Sequence, residues 1–325
     1  MTLSIIIVSF NAREHLELCL MAAARSLSGI EGEIIVIDNN STDGAPEMVA
    51  DRFPSVKLIK NPTNIGFSKA CNMGWKISCG STILFLNPDC IIAENTLVKT
   101  VTYLNDHKEA GAIGVQMVDG TGSFLKESKR GHTGTWDSFS RLSGLSARFP
   151  DSRFFSEYYQ PHVNKDSIAE VPVLSGAFFM VKRSVLEKAG GFDERYFMYA
   201  EDIDLSLTIK RLGYRNIYYG EETVLHFKGG STSRDQQYIS RFYNAMRMFV
   251  QKYHGAIAQI PLMAGIWVRE RMAGRRLGKS TELYLPNETI YLHRTGNFTG
   301  LIQYIKENPG KNYNIDLVDS GNNIG

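Results

Sequence analysis

The chain carries several short stretches whose side chains could do chemistry. Asp38-Asn39-Asn40-Ser41-Thr42-Asp43-Gly44 follows a β-branched run. A carboxylate at a strand end can accept hydrogen bonds from a nucleobase or ribose; the same residue types also make an Asx turn and cap a helix. Asn87-Pro88-Asp89 sets two oxygen ligands two residues apart. A hard divalent cation takes such a pair, and the same tripeptide also favours a plain turn. Between them lies Asn64-Ile65-Gly66-Phe67-Ser68-Lys69-Ala70-Cys71-Asn72. Gly66 either lets backbone approach a ligand ahead of a helix N-terminus suited to an anion, or makes a turn before an ordinary helix. Ser175-Gly176-Ala177, within the apolar VLSGAFFMV, either leave room for a sugar or pack closely in a core strand. In Glu201-Asp202-Ile203-Asp204 three acids crowd the start of a helix. They fit a general base in a partly apolar cleft, and equally acids stabilised by a helix dipole. Their offsets do not fit an EF-hand. Asp202 and Asp204, two apart on a helix, do not face each other, so Asn87 and Asp89 make the better metal pair. His226 follows the strand-like Glu222 to Leu225 and precedes Lys228-Gly229-Gly230-Ser231. It reads as a ligand or as a structural histidine.

These residues need elements to position them. Short β-branched runs at 3–8, 33–38, 56–59 and 82–86 alternate with helical stretches at 12–25, 46–52 and 68–77. Alternation of this kind predicts βαβ units and an α/β class with a mostly parallel sheet, whose ligands bind at the carboxyl ends of the strands. Residues 119–170 are rich in Gly, Ser, Lys, Arg and aromatics and have weak periodicity, which points to a functional or a mobile loop region. Residues 241–279 carry eight basic residues and one acid, a local charge of +7. There Phe242, Met246, Phe249 and Val250 share one helical face. That face either lies on an anionic membrane or packs on the domain with a solvated basic edge. From residue 282 the pattern is strand, helix, strand, read as the start of a further domain or a swapped arm of a homodimer. The expected division is 1–240, 241–281 and 282–325.

Composition excludes several classes. With 325 residues, 43% hydrophobic and 22% charged, the chain can bury a sizeable core and is not disordered. A net charge of +2 argues against nucleic acid as a partner. The four cysteines form no CxxC pair, against a zinc ribbon or disulfide scaffold and for a reducing, cytoplasmic setting. The N-terminus lacks the basic n-region of a signal peptide. The apolar run 256–268 is interrupted by Gln259 and Pro261 and falls short of the ~20 residues that span a bilayer. No GxGxxG, P-loop, GxSxG or HExxH motif occurs.

Taken together, residues 3–250 resemble family 2 glycosyltransferases of the GT-A fold. The resemblance rests on SIIIVSFN, DNNSTDG, NIGFSKACNMG, FLNPD and GGFDERYFMYAEDIDL, which stand in family order. NPD with SGAFFM, GGFDE and EDIDL resembles the rhamnosyltransferase branch, which uses dTDP-L-rhamnose. The resemblance implies a Rossmann-like, mostly parallel sheet with flanking helices, followed by a C-terminal helical segment. It implies that Asp38 binds the base or ribose of the donor, with Ser9, Asn11 and Asn40 beside it. Asn64, Gly66 and Lys69 would line the nucleotide, and Asn87, Ser175 and Gly176 the rest of the donor. Asp89 would hold Mg²⁺ or Mn²⁺ against the diphosphate, with His226 a further ligand or phosphate contact. Asp202 would be the catalytic base of a single, inverting displacement. The implied partners are a dTDP- or UDP-sugar donor and a glycan or polyprenyl-diphosphate-linked acceptor, met at the inner face of the plasma membrane through 241–279. One departure stands out: many family members have Asp where this chain has Asn87, so the metal site has one negative charge fewer. Two rival readings are weaker. A nucleotidyltransferase lacks its Gly-rich basic signature where SFNAREH stands, and a non-catalytic binding module would have no need of Asp38, Asp89, Asp202 and His226 together.

Overall fold

A computed structural model describes residues 2–131, 159–227, 236–276, 288–294 and 296–318. Trp136, Phe139, Phe149, Phe154, Phe155 and Tyr158 of the weakly patterned stretch, and Lys228-Gly229-Gly230-Ser231, lie outside the described residues.

The first half alternates strand and helix: β1 (Leu3–Ser9), α1 (Arg13–Ser26), β2 (Gly32–Asp38), α2 (Ala45–Arg52), β3 (Lys57–Lys60), α3 (Phe67–Lys76) and β4 (Thr82–Leu86). β5 (Cys90–Ile91), α4 (Thr96–Asp106), β6 (Ala110–Val118), a short 3₁₀ turn and β7 (Lys129–Arg130) follow. Then come β8 (Ile168–Glu170), β9 (Val173–Leu174), β10 (Phe178–Lys182), α5 (Arg183–Ala189), α6 (Glu201–Arg211) and β11 (Arg215–His226). The chain continues as α7 (Gln236–Tyr253), α8 (Ala256–Arg276), β12 (Glu288–His293), α9 (Phe298–Glu307) and β13 (Tyr313–Val318).

The main sheet runs β3-β2-β1-β4-β10-β6-β11-β5, with β8 paired to β11. β1 to β4 are mutually parallel, and β6 is parallel to β11. β10 is antiparallel to both β4 and β6, between which it lies. Every residue of β1 and β4 is buried, as expected where helices cover both faces of a sheet. One apolar layer gathers side chains of α1, α2, α4 and α9; the opposite layer gathers those of α3, α5 and α6. The register Phe178↔Leu86 brings Ser175–Ala177 to the sheet end where β1, β2 and β4 stop.

α7 and α8 pack together through Val250, Leu262 and Ile266. Phe249 of α7 also packs with Tyr196, Tyr199, Ala200 and Ile203. The 242–250 face therefore turns inward: Phe249 is 6% and Val250 3% exposed. Of the two sequence readings of this face, the structure has the one packed on the domain.

The tail forms a β-α-β unit with β12 and β13 parallel. Phe298, Leu301, Ile302 and Ile305 of α9 join the main apolar layer. The Glu94 carboxylate accepts the first backbone N–H groups of α9, from Phe298 at 2.7 Å and Thr299 at 2.8 Å, so it occupies that helix terminus. Arg294 reaches Glu17 at 2.6 Å, and Tyr313 N–H donates to the Gly120 carbonyl at 3.0 Å. The tail thus packs on the α/β domain of its own chain.

Candidate active site

The carboxyl ends of β1 and β2 are stitched into one floor. Asp38 is 2% exposed; its Oδ2 accepts from Ser41 N–H at 2.9 Å, and its buried Oδ1 accepts no hydrogen bond. Ser9 Oγ is likewise buried without a hydrogen-bond partner. These unsatisfied groups are the ones a bound polar ligand would engage. Asn11 has φ +49°, accepts from Thr42 N–H at 2.8 Å and donates its own N–H to Ser41 Oγ at 3.0 Å. Its side chain therefore already holds the loop together. Asn40 is exposed at φ +67°. Its neighbour Asn39, which the sequence reading passed over, is buried and joins three loops. It donates to the carbonyls of Ser9 (2.8 Å, backbone) and Gly66 (3.3 Å, side chain) and accepts from Asn61 at 2.9 Å. The Asn-Asn doublet was the signal, since in an extended segment neighbours point opposite ways.

Gly66 needs its hydrogen. At φ +88° a Cβ would lie 2.7 Å from the Phe197 carbonyl oxygen, which already accepts from Phe67 N–H at 2.7 Å. The loop before α3 therefore abuts the segment that leads into α6. Asn64 accepts from Gly66 N–H at 3.0 Å as an Asx turn, and Lys69 is exposed on the first turns of α3.

Pairing of β5 with the end of β11 sets His226 opposite Cys90. His226 Nε2 lies 3.3 Å from Asp89 Oδ1. Asp89 is 3% exposed, and that Oδ1 accepts no hydrogen bond. Ligand atoms of Asp89, Cys90 and His226 all fall within 4.8 Å of one another. Burial pushes the Cys90 thiol well up, and it donates to the Ala177 carbonyl at 3.4 Å. The Asp89 carboxylate and the His226 imidazole are donors that fit a hard or borderline divalent cation. Asn87 is half-buried; its backbone closes the turn to Cys90 N–H at 3.2 Å and bonds Ala177 at 2.9 Å.

Asp202 stands in the first turn of α6, after two left-handed residues, Tyr199 (φ +72°) and Ala200 (φ +64°). Its Oδ2 accepts from Gly176 N–H at 2.9 Å and from Arg130 Nη2 at 2.5 Å; its Oδ1 accepts from Ile203 N–H at 2.8 Å. A Cβ on Gly176 would sit 3.2 Å from the Asp202 Cβ, so a small residue there lets the carboxylate reach the backbone. Ser175 is half-buried and accepts from Ala177 N–H at 3.3 Å. Arg130 was missed by the sequence reading. It is placed by the β7–β9 pairing and also donates to the Leu174 carbonyl at 2.6 Å. A carboxylate offers about four lone-pair sites; three are taken, leaving one on Oδ1. Asp204 faces elsewhere, to Lys252 at 2.7 Å and Tyr253 at 2.8 Å.

Glu201 sits beside this pair. Burial, then the Asp202 charge, push its carboxyl up to about 8, so it keeps its proton at neutral pH. The folded chain therefore holds a proton that the unfolded chain releases near the usual glutamate value. Stability contributed this way is present at low pH, falls as pH rises toward 8 and is level above. Glu201→Gln is expected to remove that fall, making the variant the more stable by a few kcal/mol at about pH 8 and near parity at about pH 5. Urea denaturation across that range checks it; equal pH slopes for parent and variant would refute the assignment.

Comparison with known proteins follows the same outline. The model of the family described as "Glycosyl transferase family 2" matches residues 4–190. The N-acetylglucosaminyl-diphospho-decaprenol L-rhamnosyltransferase of Mycobacterium tuberculosis is 27% identical over 278 residues, covering 80% of this chain and 87% of that protein. Rhamnosyltransferase WbbL of Escherichia coli is 29% identical over 145 residues, 45% of this chain and 52% of its own. Among solved structures, the mannosyltransferase PcManGT from Pyrobaculum calidifontis, in complex with GDP-Man and Mn²⁺, superposes with a TM-score of 0.52 at 17% identity. It covers 86% of this chain and 76% of that one. The likeness to that structure is one of fold, and the fold is the GT-A arrangement expected from the motifs.

Proposed function

Because the chain belongs to glycosyl transferase family 2, we propose that it moves L-rhamnose from a dTDP-sugar, or a related sugar from UDP, to a polyprenyl-diphosphate-linked glycan. The setting is assembly of a cell-surface polysaccharide. The observation that carries the reading is the buried Asp202 carboxylate, held by three hydrogen bonds that leave one lone-pair site of Oδ1 uncommitted. The decaprenol-linked substrate in the name of the mycobacterial relative supports the acceptor class.

The chemistry follows from the side chains. An acceptor hydroxyl is a weak nucleophile at neutral pH. Asp202 Oδ1 takes its proton as it attacks the anomeric carbon, while Arg130 and Gly176 N–H hold Oδ2 in place. Asp38 Oδ1 and Ser9 Oγ offer buried polar atoms to the base and ribose. Asp89 and His226 would hold Mg²⁺ or Mn²⁺, which when bound neutralises charge developing on the leaving diphosphate. One in-line displacement inverts the anomeric centre.

Thermal shift with dTDP, UDP, GDP and CMP, each with and without Mn²⁺, tests this. The expected result is Mn²⁺-dependent stabilisation by dTDP or UDP, about 2.7 kcal/mol at a hundred times Kd, abolished by Asp89→Ala. Preference for GDP or CMP would overturn the donor assignment; no response to any nucleotide would overturn the transferase reading.

A further inference from the structure

α8 has two apolar faces, and only one is covered. Leu262 and Ile266 are 1% and 0% exposed and pack on α7. On the other side Ile257 (89%), Ile260 (73%), Trp267 (52%), Val268 (47%) and Met272 (45%) are exposed. At 100° per residue these positions, with exposed Pro261 and Ala264 between them, form one stripe, roughly 22 Å long at 1.5 Å per residue. Scattered exposed apolar residues need no explanation, but a contiguous stripe does. The stripe contains Arg271, whose guanidinium lies 4.2 Å over the Trp267 ring. Glu270 is off it and bound to Arg247. The sequence then continues Arg275, Arg276 and Lys279, with no further acid before residue 282.

We propose that this face of α8 docks flat on an anionic lipid bilayer. Among the described residues no helix is long and apolar enough to cross a membrane, whereas a helix lying in the interface needs only one apolar face, an indole and flanking cations. Arg271 can keep its charge at headgroup level while its stem lies along Trp267. The basic surplus decides the partner. A two-fold contact between copies would set the run 269–279, with five cations and one acid, against the same run of the other copy, whereas an anionic leaflet attracts each cation by about 1 kcal/mol. The docking also has a direction. α7 separates α8 from the lead-in to α6, with Phe242 against Tyr199 at 5.7 Å, Arg241 4.4 Å over the Phe197 ring and Lys252 on Asp204. Docking α8 therefore holds the Asp202 segment one helix layer from the lipid surface.

Co-sedimentation of the full chain with phosphatidylcholine vesicles, alone or with roughly a third phosphatidylglycerol, tests this without donor or acceptor, so its outcome is separate from that of the transferase reading. The expected result is binding to the anionic vesicles, reduced about 10-fold or more on neutral lipid and in I260E/W267E, with the variant's melting temperature and nucleotide response unchanged. No binding to anionic vesicles, or binding unaffected by I260E/W267E, would overturn the proposal. So would a lipid-free dimer in sedimentation velocity that the double substitution converts to monomer, which would make the face a contact between copies.

Discussion

Asp202→Asn is expected to lower sugar-transfer turnover by about 10³-fold while nucleotide-dependent thermal stabilisation persists. An amide oxygen can still accept from Arg130 and Gly176, so the side chain stays near its place. It cannot accept a proton from the acceptor, and its NH₂ would meet the Ile203 N–H that the carboxylate now binds at 2.8 Å. That lost bond costs about 1–3 kcal/mol, and the Arg130 charge loses its counter-ion. Turnover must therefore be counted per folded molecule, by nucleoside diphosphate release beside a melting curve. Turnover within a few-fold of the parent would remove Asp202 from the role of base.

Arg130→Met is expected to cost about 3–5 kcal/mol of stability. Arg130 and Asp202 side chains are 10% and 12% exposed, so removing the guanidinium leaves a buried carboxylate with only two backbone donors and the Leu174 carbonyl without that partner. Replacing both residues, as Arg130→Met with Asp202→Asn, removes the stranded charge. Urea denaturation of the two single variants and the double should give a double-variant cost at least about 1 kcal/mol below the sum. Strict additivity would mean that the two groups are not energetically linked.

What was legible in the sequence follows from which features are local. β4 occupies Thr82–Leu86, the span read from TILFL, and α1 and α3 lie within one residue of the helical stretches read at 12–25 and 68–77. Strands covered on both faces read as continuous apolar runs, as TILFL does, and that signal survives without any partner in view. Asp38, Asp89 and His226 were singled out on the expectation that ligands gather at strand ends, and the structure does set them at or just past the ends of β2, β4 and β11. Direction and partnership were not legible. VLSGAFFMV is apolar either way along the sheet, so nothing in it told that β10 runs against its neighbours. Arg130 sits in a two-residue strand with no periodicity around it. The proton on Glu201 depends on the depth of burial, and the inward turn of Phe249 on a helix that the sequence does not show beside it.

The place of β10 bears on how the protein is made. β4 and β6 share no border of their own; each waits for the strand that begins at Phe178. Roughly 90 residues separate the end of β4 from that strand, so at about 5–20 residues per second a ribosome leaves the TILFL edge unpaired for several seconds or more. An apolar open edge of that lifetime invites intermolecular pairing. Substitutions in Phe178–Lys182 should therefore show first as lost soluble yield, and slower translation or a chaperone that shields strand edges should matter more to this chain than its final stability.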